Sequence, residues 1–216
     1  MLTHAIIIRF HYEKNDPRFE WRLAYFKSMV LPRILAQTSQ NFVIAIRCNP
    51  CHQKIFNKLS NKIITFTVKN EGAKYKQGPS KKFFYDFCPW SDVNGLEKFD
   101  IQTGLDSDDL IAEDYLEKIE KEVFRFRLTN PGKSLHITFQ PELFNTKTLE
   151  KYSIGQVYNP QMGSAFFSIY QPDKTNYFFA YEESHLTLCR RVNQSIVLPI
   201  GSCWASVHEY NESTGK

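Results

Sequence analysis

The chain has 216 residues, a length that suits one sizeable domain better than two small ones. Its 27 basic and 23 acidic residues leave a net charge of +4, which is too small to indicate a nucleic-acid-binding protein. The five cysteines form no disulfide ladder, and no stretch approaches the roughly 20 apolar residues of a transmembrane segment. We therefore expect a soluble, cytoplasmic protein, with peripheral attachment to a membrane left open.

The first half of the chain alternates between buried strands and helices. Four runs rich in apolar and β-branched residues predict strands, namely "AIIIRF", "NFVIAIRCN", "KIITFTV" and "KFDIQTGL". Helical spacing from Phe19 to Gln37 predicts a helix after the first strand, which Pro32 is expected to break or kink. A short helix "CHQKIFNKLSN" and an amphipathic helix "AEDYLEKIEKEVFRF" follow the second and fourth strands. This rhythm is typical of a parallel sheet covered by helices.

The pattern changes after Asn130-Pro131-Gly132. The segments "LHITFQPELFN", "YSIGQVYN", "SAFFSIYQ" and "YFFAYE" alternate and are rich in aromatic residues, which predicts antiparallel strands and hairpins. The sequence therefore predicts an α/β fold in which a mostly parallel central sheet is flanked by helices and followed by a mixed or antiparallel C-terminal part. We expect both parts to form a single domain over residues 1–216, with its two halves meeting near residue 130.

Three carboxylates stand within four positions, at Asp106, Asp108 and Asp109, directly after the fourth predicted strand. Ligands of open α/β sheets bind outside the carboxyl ends of the strands. An Asp-x-Asp pair at a strand end puts two side chains on one side of the backbone, and such oxygen ligands suit Mg²⁺ or Mn²⁺ shared with substrate phosphates. The cluster therefore predicts a site for a metal ion and a phosphate-bearing ligand.

Of four other interpretations of the three aspartates, two fit the sequence poorly and two remain alternatives. Asp108 or Asp109 would cap the next helix, but capping requires only one carboxylate. A calcium EF-hand counted from Asp106 fails because its fifth and sixth positions would be Leu110 and Ile111. A metal-dependent phosphatase or phosphotransferase remains an alternative, although the aspartate pair of haloacid-dehalogenase-like enzymes normally follows the first strand. A non-catalytic module that binds a carbohydrate or nucleotide around a structural ion is the other alternative.

The stretch from Lys69 to Lys82, "KNEGAKYKQGPSKK", is basic and rich in turn formers. It is either a solvated surface loop or a loop that contacts phosphates or an acceptor. Under the second interpretation, Lys81 is a candidate substrate-binding residue.

The segment "TGLDSDDLIAEDYLEKI" resembles the metal-binding segment of nucleotide-sugar glycosyltransferases with the GT-A fold. More narrowly, the chain is similar to the rhamnosyltransferase family, whose motifs appear here in order as "IIIRFHY", "FEWRLAYFKSMVLPRILAQTSQNF", "TGLDSDD" and "CWASVHEYNES". The likeness extends from residue 4 to residue 213. One departure is "IAIRCNP" after the second strand, where relatives more often carry an acidic residue.

The resemblance implies a metal ion, Mn²⁺ or Mg²⁺, as the cofactor. Asp106 and Asp108 would hold this ion together with the diphosphate of a nucleotide sugar, and Asp109 would support them or cap the helix. His208 in "WASVHEYN" would complete the metal site, because a neutral imidazole is a good ligand beside carboxylates. The alternative for His208 is a surface histidine near the end of the chain.

The resemblance also implies two arginines at the donor pocket. Arg9 at the end of the first strand would face the nucleotide, and Arg22 in "EWR" would reach the same pocket. An exposed strand-end charge is the alternative for Arg9, and a salt bridge on the helix surface is the alternative for Arg22.

The implied function is the transfer of a sugar, rhamnose or another hexose, from a UDP, dTDP or GDP donor to a glycan or glycoprotein acceptor. Residues 1–130 would bind the nucleotide sugar, and residues 131–216 would carry the acceptor site and the catalytic base. Inversion is expected because no second covalent nucleophile is apparent. An inverting transfer needs a carboxylate that takes the proton of the acceptor hydroxyl. Glu182 and Glu183 in "YFFAYEESHLTL" are the candidates, and Asp173 in "YQPDKTN" is a weaker one.

Overall fold

The computed structural model describes residues 2–10, 12, 14–67, 95–146, 151–152, 166–174, 191–199 and 201–207. Four of the predicted site residues, Lys81, Glu182, Glu183 and His208, lie outside the described residues. Most of the predicted strand "YSIGQVYN" and all of "YFFAYE" lie outside them as well.

The strands in the described ranges form a larger and a smaller sheet. In chain order they are β1 His4–Phe10, β2 Phe42–Cys48, β3 Ile63–Thr67, β4 Ile101–Asp106, β5 Leu110–Ile111, β6 Leu135–Phe139, β7 Glu142–Asn145, β8 Lys151–Tyr152, β9 Phe167–Tyr170, β10 Gln194–Leu198 and β11 Cys203–Val207. The larger, central sheet has the order β10-β6-β9-β4-β1-β2-β3, and the smaller one has the order β5-β11-β7-β8.

Strand directions agree with the α/β architecture expected from the sequence. In the central sheet, β9 is antiparallel to its neighbours β4 and β6, whereas every other neighbouring pair is parallel. The smaller sheet is mixed, because β11 is parallel to β7 and antiparallel to β5. A mostly parallel sheet with a mixed C-terminal part is therefore confirmed.

The helical segment after β1 is continuous and contains a π-helical turn. It consists of α1 Pro17–Tyr25, the π-turn Phe26–Val30 and α2 Leu31–Leu35. Asp16 caps α1 by accepting the backbone N–H of Arg18 at 2.9 Å. The chain stays helical at Pro32, but the π-turn just before it separates α1 from α2, so two α-helical pieces form near the expected point. Pro32 then occupies the first turn of α2, where a missing N–H and a ring are tolerated.

The helix that follows the acidic cluster is α4, Tyr115–Thr129. It presents one buried stripe to the core, formed by Tyr115, Leu116, Ile119, Val123 and Phe126. The expectation that Asp108 or Asp109 caps this helix is wrong, since β5 separates the cluster from the helix and Asp114 occupies the N-cap position. None of the helices in the described ranges has the length and apolarity needed to cross a membrane.

β1 and β2 of the central sheet are buried on both faces, which explains why most of their residues are apolar. On one face, Ile6, Ile8 and Phe10 of β1 belong to the larger core, which includes buried side chains of α1 and α4. On the other face, Ala5 and Ile7 belong to a smaller core. β1 is therefore packed between the two cores.

Three local features differ from the pattern expected from sequence. "LHITFQPELFN" forms two strands, β6 and β7, but they belong to different sheets and so do not pair as a hairpin. The short helix after β2 consists of a 3₁₀ turn, Pro50–His52, and a single α-helical turn, α3 Gln53–Phe56. The late strands β10 and β11 were not expected from the sequence.

Candidate functional site

Three charged side chains lie in one row near the carboxyl ends of neighbouring strands. Arg9 of β1 is in register with Arg47 of β2 on one side and with Asp106 of β4 on the other. Residues in register on parallel neighbours project to the same face of a sheet. Two guanidinium groups and one carboxylate therefore meet at the edge where open α/β sheets bind ligands.

Arg9 and Asp106 form an ion pair that is open to solvent. The Nη2 of Arg9 donates a hydrogen bond to Oδ1 of Asp106 at 3.3 Å. The Arg9 side chain is 28% exposed and the Asp106 side chain 40% exposed, so both are accessible to a ligand. Such an exposed pair adds little to stability, about 0–1 kcal/mol. The structure thus places Arg9 beside Asp106 at the end of the strand.

Arg22 and Asp108 form the second ion pair, and this one is buried. Nη1 of Arg22 contacts Oδ2 of Asp108, and only 10% and 11% of the two side chains are exposed. Burial lowers the pKa of Arg22, but the charges of Asp108, Tyr12 and Asp106 outweigh it, so the pKa lies above its usual value. Arg22 therefore remains charged and belongs to the carboxylate cluster rather than to a surface salt bridge.

A tight turn holds the three aspartates together. The backbone N–H of Asp109 donates to the carbonyl of Asp106 at 3.2 Å, which closes a four-residue turn directly after β4. Asp109 is only 6% exposed. Trp204 of β11 pairs with Leu110, the residue directly after Asp109, which places that strand next to the turn. The smaller sheet thus begins directly beside the acidic cluster.

The last residue of α1, Tyr25, brings a phenol to the same cluster. Burial, with the charges of Asp108 and Asp109, raises the pKa of Tyr25 to about 12. Its hydroxyl oxygen is buried and finds no hydrogen-bond partner within the described part of the chain. Sequence reasoning missed this residue, although its position three residues after Arg22 puts both on one helix face.

Arg47 is the other residue that sequence reasoning missed. It is only 2% exposed, which is unusual for an arginine and points to a specific electrostatic role. Its signal was the basic residue in "IAIRCNP", the point at which the chain departs from the acidic pattern of its relatives. The second strand therefore adds a guanidinium to this edge of the sheet.

Asp173 is not brought to the acidic cluster. It follows β9, whose Tyr170 pairs with Ile101 at the start of β4, so the segment after β9 lies at the opposite, amino-terminal edge of β4. There it borders a polar cavity of about 310 Å³, and the next residue, Lys174, pairs with Asp100 at 3.6 Å. The length of β4 thus separates Asp173 from Asp106.

The chemistry of the cluster partly fits a divalent cation. Carboxylate oxygens such as those of Asp106 and Asp108 suit Mg²⁺ and Mn²⁺. However, each of these two carboxylates already pairs with a guanidinium, and the described ranges contain no group of three or more His, Cys, Asp or Glu side chains arranged for a metal ion. A metal ion held by Asp106 and Asp108 would need further ligands, from substrate phosphates or from residues outside the described ranges.

Comparisons with known proteins agree with this fold. A family model with the description "Putative rhamnosyl transferase" matches residues 3–216. No curated protein sequence matches the chain. S. aureus TarS superimposes with a TM-score of 0.57 at 11% identity, covering 95% of this chain and 37% of TarS. TarS 1–349 in complex with UDP superimposes with a TM-score of 0.51 at 14% identity, covering 95% and 61%. The chain thus spans less than two thirds of these structures, and their likeness shows a GT-A-like fold.

Proposed function

The chain belongs to the glycosyltransferase family described as "Putative rhamnosyl transferase", and from that premise we propose that it transfers a sugar from a nucleoside-diphosphate donor to a hydroxyl group of a glycan. Rhamnose is the first sugar to test because of the family description, followed by other hexoses. UDP is the first nucleotide to test, because a structure with the same fold binds it, and dTDP and GDP follow.

The two arginine–aspartate pairs carry this proposal. Arg9 pairs with Asp106 and Arg22 with Asp108 at the carboxyl edge of the sheet. Guanidinium groups recognise phosphate oxygens with paired hydrogen bonds. A diphosphate held here would therefore meet cationic donors from β1 and α1, beside carboxylates that can share a metal ion with it.

A divalent cation, Mn²⁺ or Mg²⁺, is part of the proposal. Asp106 and Asp108 would supply oxygen ligands, and His208 would supply the third ligand. In support of this, β11 runs antiparallel to β5 and hence back towards the aspartates, and His208 directly follows its last residue. When bound, the ion would neutralise the negative charge that develops on the departing diphosphate.

We propose an inverting reaction with a carboxylate as the general base. Glu182 or Glu183 would take the proton of the acceptor hydroxyl while its oxygen forms a bond to the anomeric carbon. The bond from that carbon to the diphosphate breaks, and the nucleoside diphosphate leaves with the electron pair. Asp173 is not retained for this role, because it lies at the other edge of the sheet.

Calorimetric titration of UDP, dTDP and GDP, with and without Mn²⁺, tests the donor site. The comparison is between the wild type and Asp106→Asn, a substitution in a half-exposed side chain that leaves the buried pair intact. We expect one nucleotide to bind with the metal and to bind at least about tenfold more weakly to the variant, since a hydrogen bond to a charged group contributes about 1.5–3 kcal/mol. Asp114→Asn, an exposed aspartate at the start of α4, is the matched control and should bind normally.

The alternative functions give different results in the same set of measurements. No binding of any of the three nucleotides would contradict the transferase proposal. Metal-dependent hydrolysis of a simple phosphate ester, lost in Asp106→Asn, would identify a phosphatase instead. Binding of free sugars without turnover of any nucleotide sugar would identify a binding module.

A further inference from the structure

The two ion pairs of the site do not explain the role of one nearby polar group, the buried hydroxyl of Tyr25. Its oxygen is inaccessible to solvent and has no hydrogen-bond partner among the described residues. Buried hydroxyls in proteins are almost always hydrogen-bonded, and an unsatisfied one weakens the folded state. Because the unsatisfied hydroxyl destabilises the ligand-free protein, we expect it to form a hydrogen bond in another state, such as the ligand-bound one.

The surroundings of Tyr25 point to the acidic cluster. Its ring stacks on Trp21, with centroids 5.6 Å apart and planes 12° from parallel, which fixes the ring on the helix. Arg22, three residues earlier, lies on the same helix face and contacts Asp108. The π-turn that begins directly after Tyr25 contacts β5, the strand that follows Asp109. Single π-helical turns are frequent at functional sites.

We propose that Tyr25 is a positioning residue of the donor site, whose hydroxyl donates a hydrogen bond to the carboxylate of Asp108 when a nucleoside diphosphate is bound. This inference rests on the proposed function. The hydrogen bond from Tyr25 would form in the liganded state, in which Arg22 turns from Asp108 towards the diphosphate.

Charge balance explains why Arg22 would turn from Asp108 towards the diphosphate. A diphosphate carries more negative charge than one carboxylate and therefore competes for the Arg22 guanidinium. The Nε of Arg22, like the Tyr25 hydroxyl, is buried without a hydrogen-bond partner in the described ranges, so the guanidinium is not fully satisfied where it stands. At Asp108, only 8% exposed, the Tyr25 hydroxyl would then donate to the carboxylate oxygen that Arg22 contacts in this structure. A tyrosine hydroxyl is protonated at neutral pH, so it can donate.

The test is Tyr25→Phe, measured for both stability and ligand affinity. The probes are UDP, dTDP and GDP, each with Mn²⁺, in calorimetric titrations with the whole chain. We expect the melting temperature without ligand to stay equal or rise, because an unsatisfied hydroxyl is removed. We expect the affinity for the preferred nucleotide to fall about 10- to 100-fold, the range for a hydrogen bond to a charged group. Tyr170→Phe, a buried tyrosine next to the amino-terminal edge of β4, is the matched control and should bind normally.

Three outcomes overturn the inference, and they are distinguishable. If Tyr25→Phe binds the nucleotide as tightly as the wild type, the inference fails while the donor site stands. If its melting temperature falls together with its affinity, Tyr25 has a structural role. If the wild type binds none of the three nucleotides, the proposed function fails and the inference fails with it.

Discussion

The two ion pairs at the acidic cluster differ in what they contribute to the folded state. Arg9 and Asp106 are both accessible to water, which screens their attraction. Arg22 and Asp108 are almost fully buried, so both charges lose hydration. The attraction between them offsets part of that loss. The exposed pair is therefore available to a ligand at little structural cost, whereas the buried pair also holds α1 against the turn after β4.

Removing Arg22 should destabilise the protein strongly. In Arg22→Ala the Asp108 carboxylate stays buried without its cation, and we expect a loss of about 3–5 kcal/mol in the free energy of unfolding. Arg125→Ala is the control, because Arg125 is 71% exposed in its pair with Glu122 and should lose no more than about 1 kcal/mol. Urea unfolding curves measure both. Equal losses in the two variants would contradict the role of the buried pair.

At the residue scale, the sequence revealed the cluster but not its partners. Asp106, Asp108 and Asp109 lie within four consecutive positions, so the sequence alone shows that three like charges are close together. Arg22 lies far from them in sequence, and only the packing of α1 beside the turn distinguishes its buried pair from a surface salt bridge. The same holds for Tyr25, which resembles an ordinary aromatic residue of an amphipathic helix until its unpartnered hydroxyl is seen.

At the scale of elements, the close approach of β9 to β4 depends on Gly104. Gly104 lies opposite Phe167 in the antiparallel pair, and a methyl group at position 104 would overlap the Phe167 ring. We expect Gly104→Ala to lower the free energy of unfolding by about 1–3 kcal/mol through overpacking. The double variant Gly104→Ala/Phe167→Leu should recover part of this loss, because the smaller side chain leaves room for the methyl group. Urea unfolding would contradict the explanation if the double variant were simply the sum of the two single losses.

The strands themselves were predictable to different degrees for a physical reason. β1 and β2 are buried on both faces, so most of their residues are apolar, a pattern that a central strand requires. β10 lies at the edge of the sheet, and its side chains are exposed or only partly buried. An edge strand such as β10 has few of the apolar residues that mark a central strand, so its position beside β6 is determined by tertiary packing. The π-turn before Pro32 was likewise set by context, because propensity alone indicates a break there.

At the scale of the whole molecule, a polar network on one face of the central sheet joins neighbouring strands to α4. His4 Nε2 lies 2.6 Å from the hydroxyl of Thr103, which lies 2.7 Å from the hydroxyl of Ser168. On its other side, Nδ1 of His4 is 3.8 Å from a carboxylate oxygen of Glu120 on α4. β1, β4, β9 and α4 therefore meet around one fully buried imidazole, away from the proposed donor site.

This network should make the protein sensitive to acid. Burial lowers the pKa of His4 below 6.5, and the opposing attraction of Glu120 does not restore it. The unfolded chain then binds a proton more readily than the folded one, so stability falls as the pH drops below about 7 towards the lowered folded pKa, with a slope of up to ~1.4 kcal/mol per pH unit. In His4→Gln this contribution is absent, and unfolding free energies measured by urea between pH 7.5 and about 5.5 should vary less with pH. An equal slope in wild type and variant would assign the acid sensitivity to other groups, since a lower overall stability alone does not change the slope.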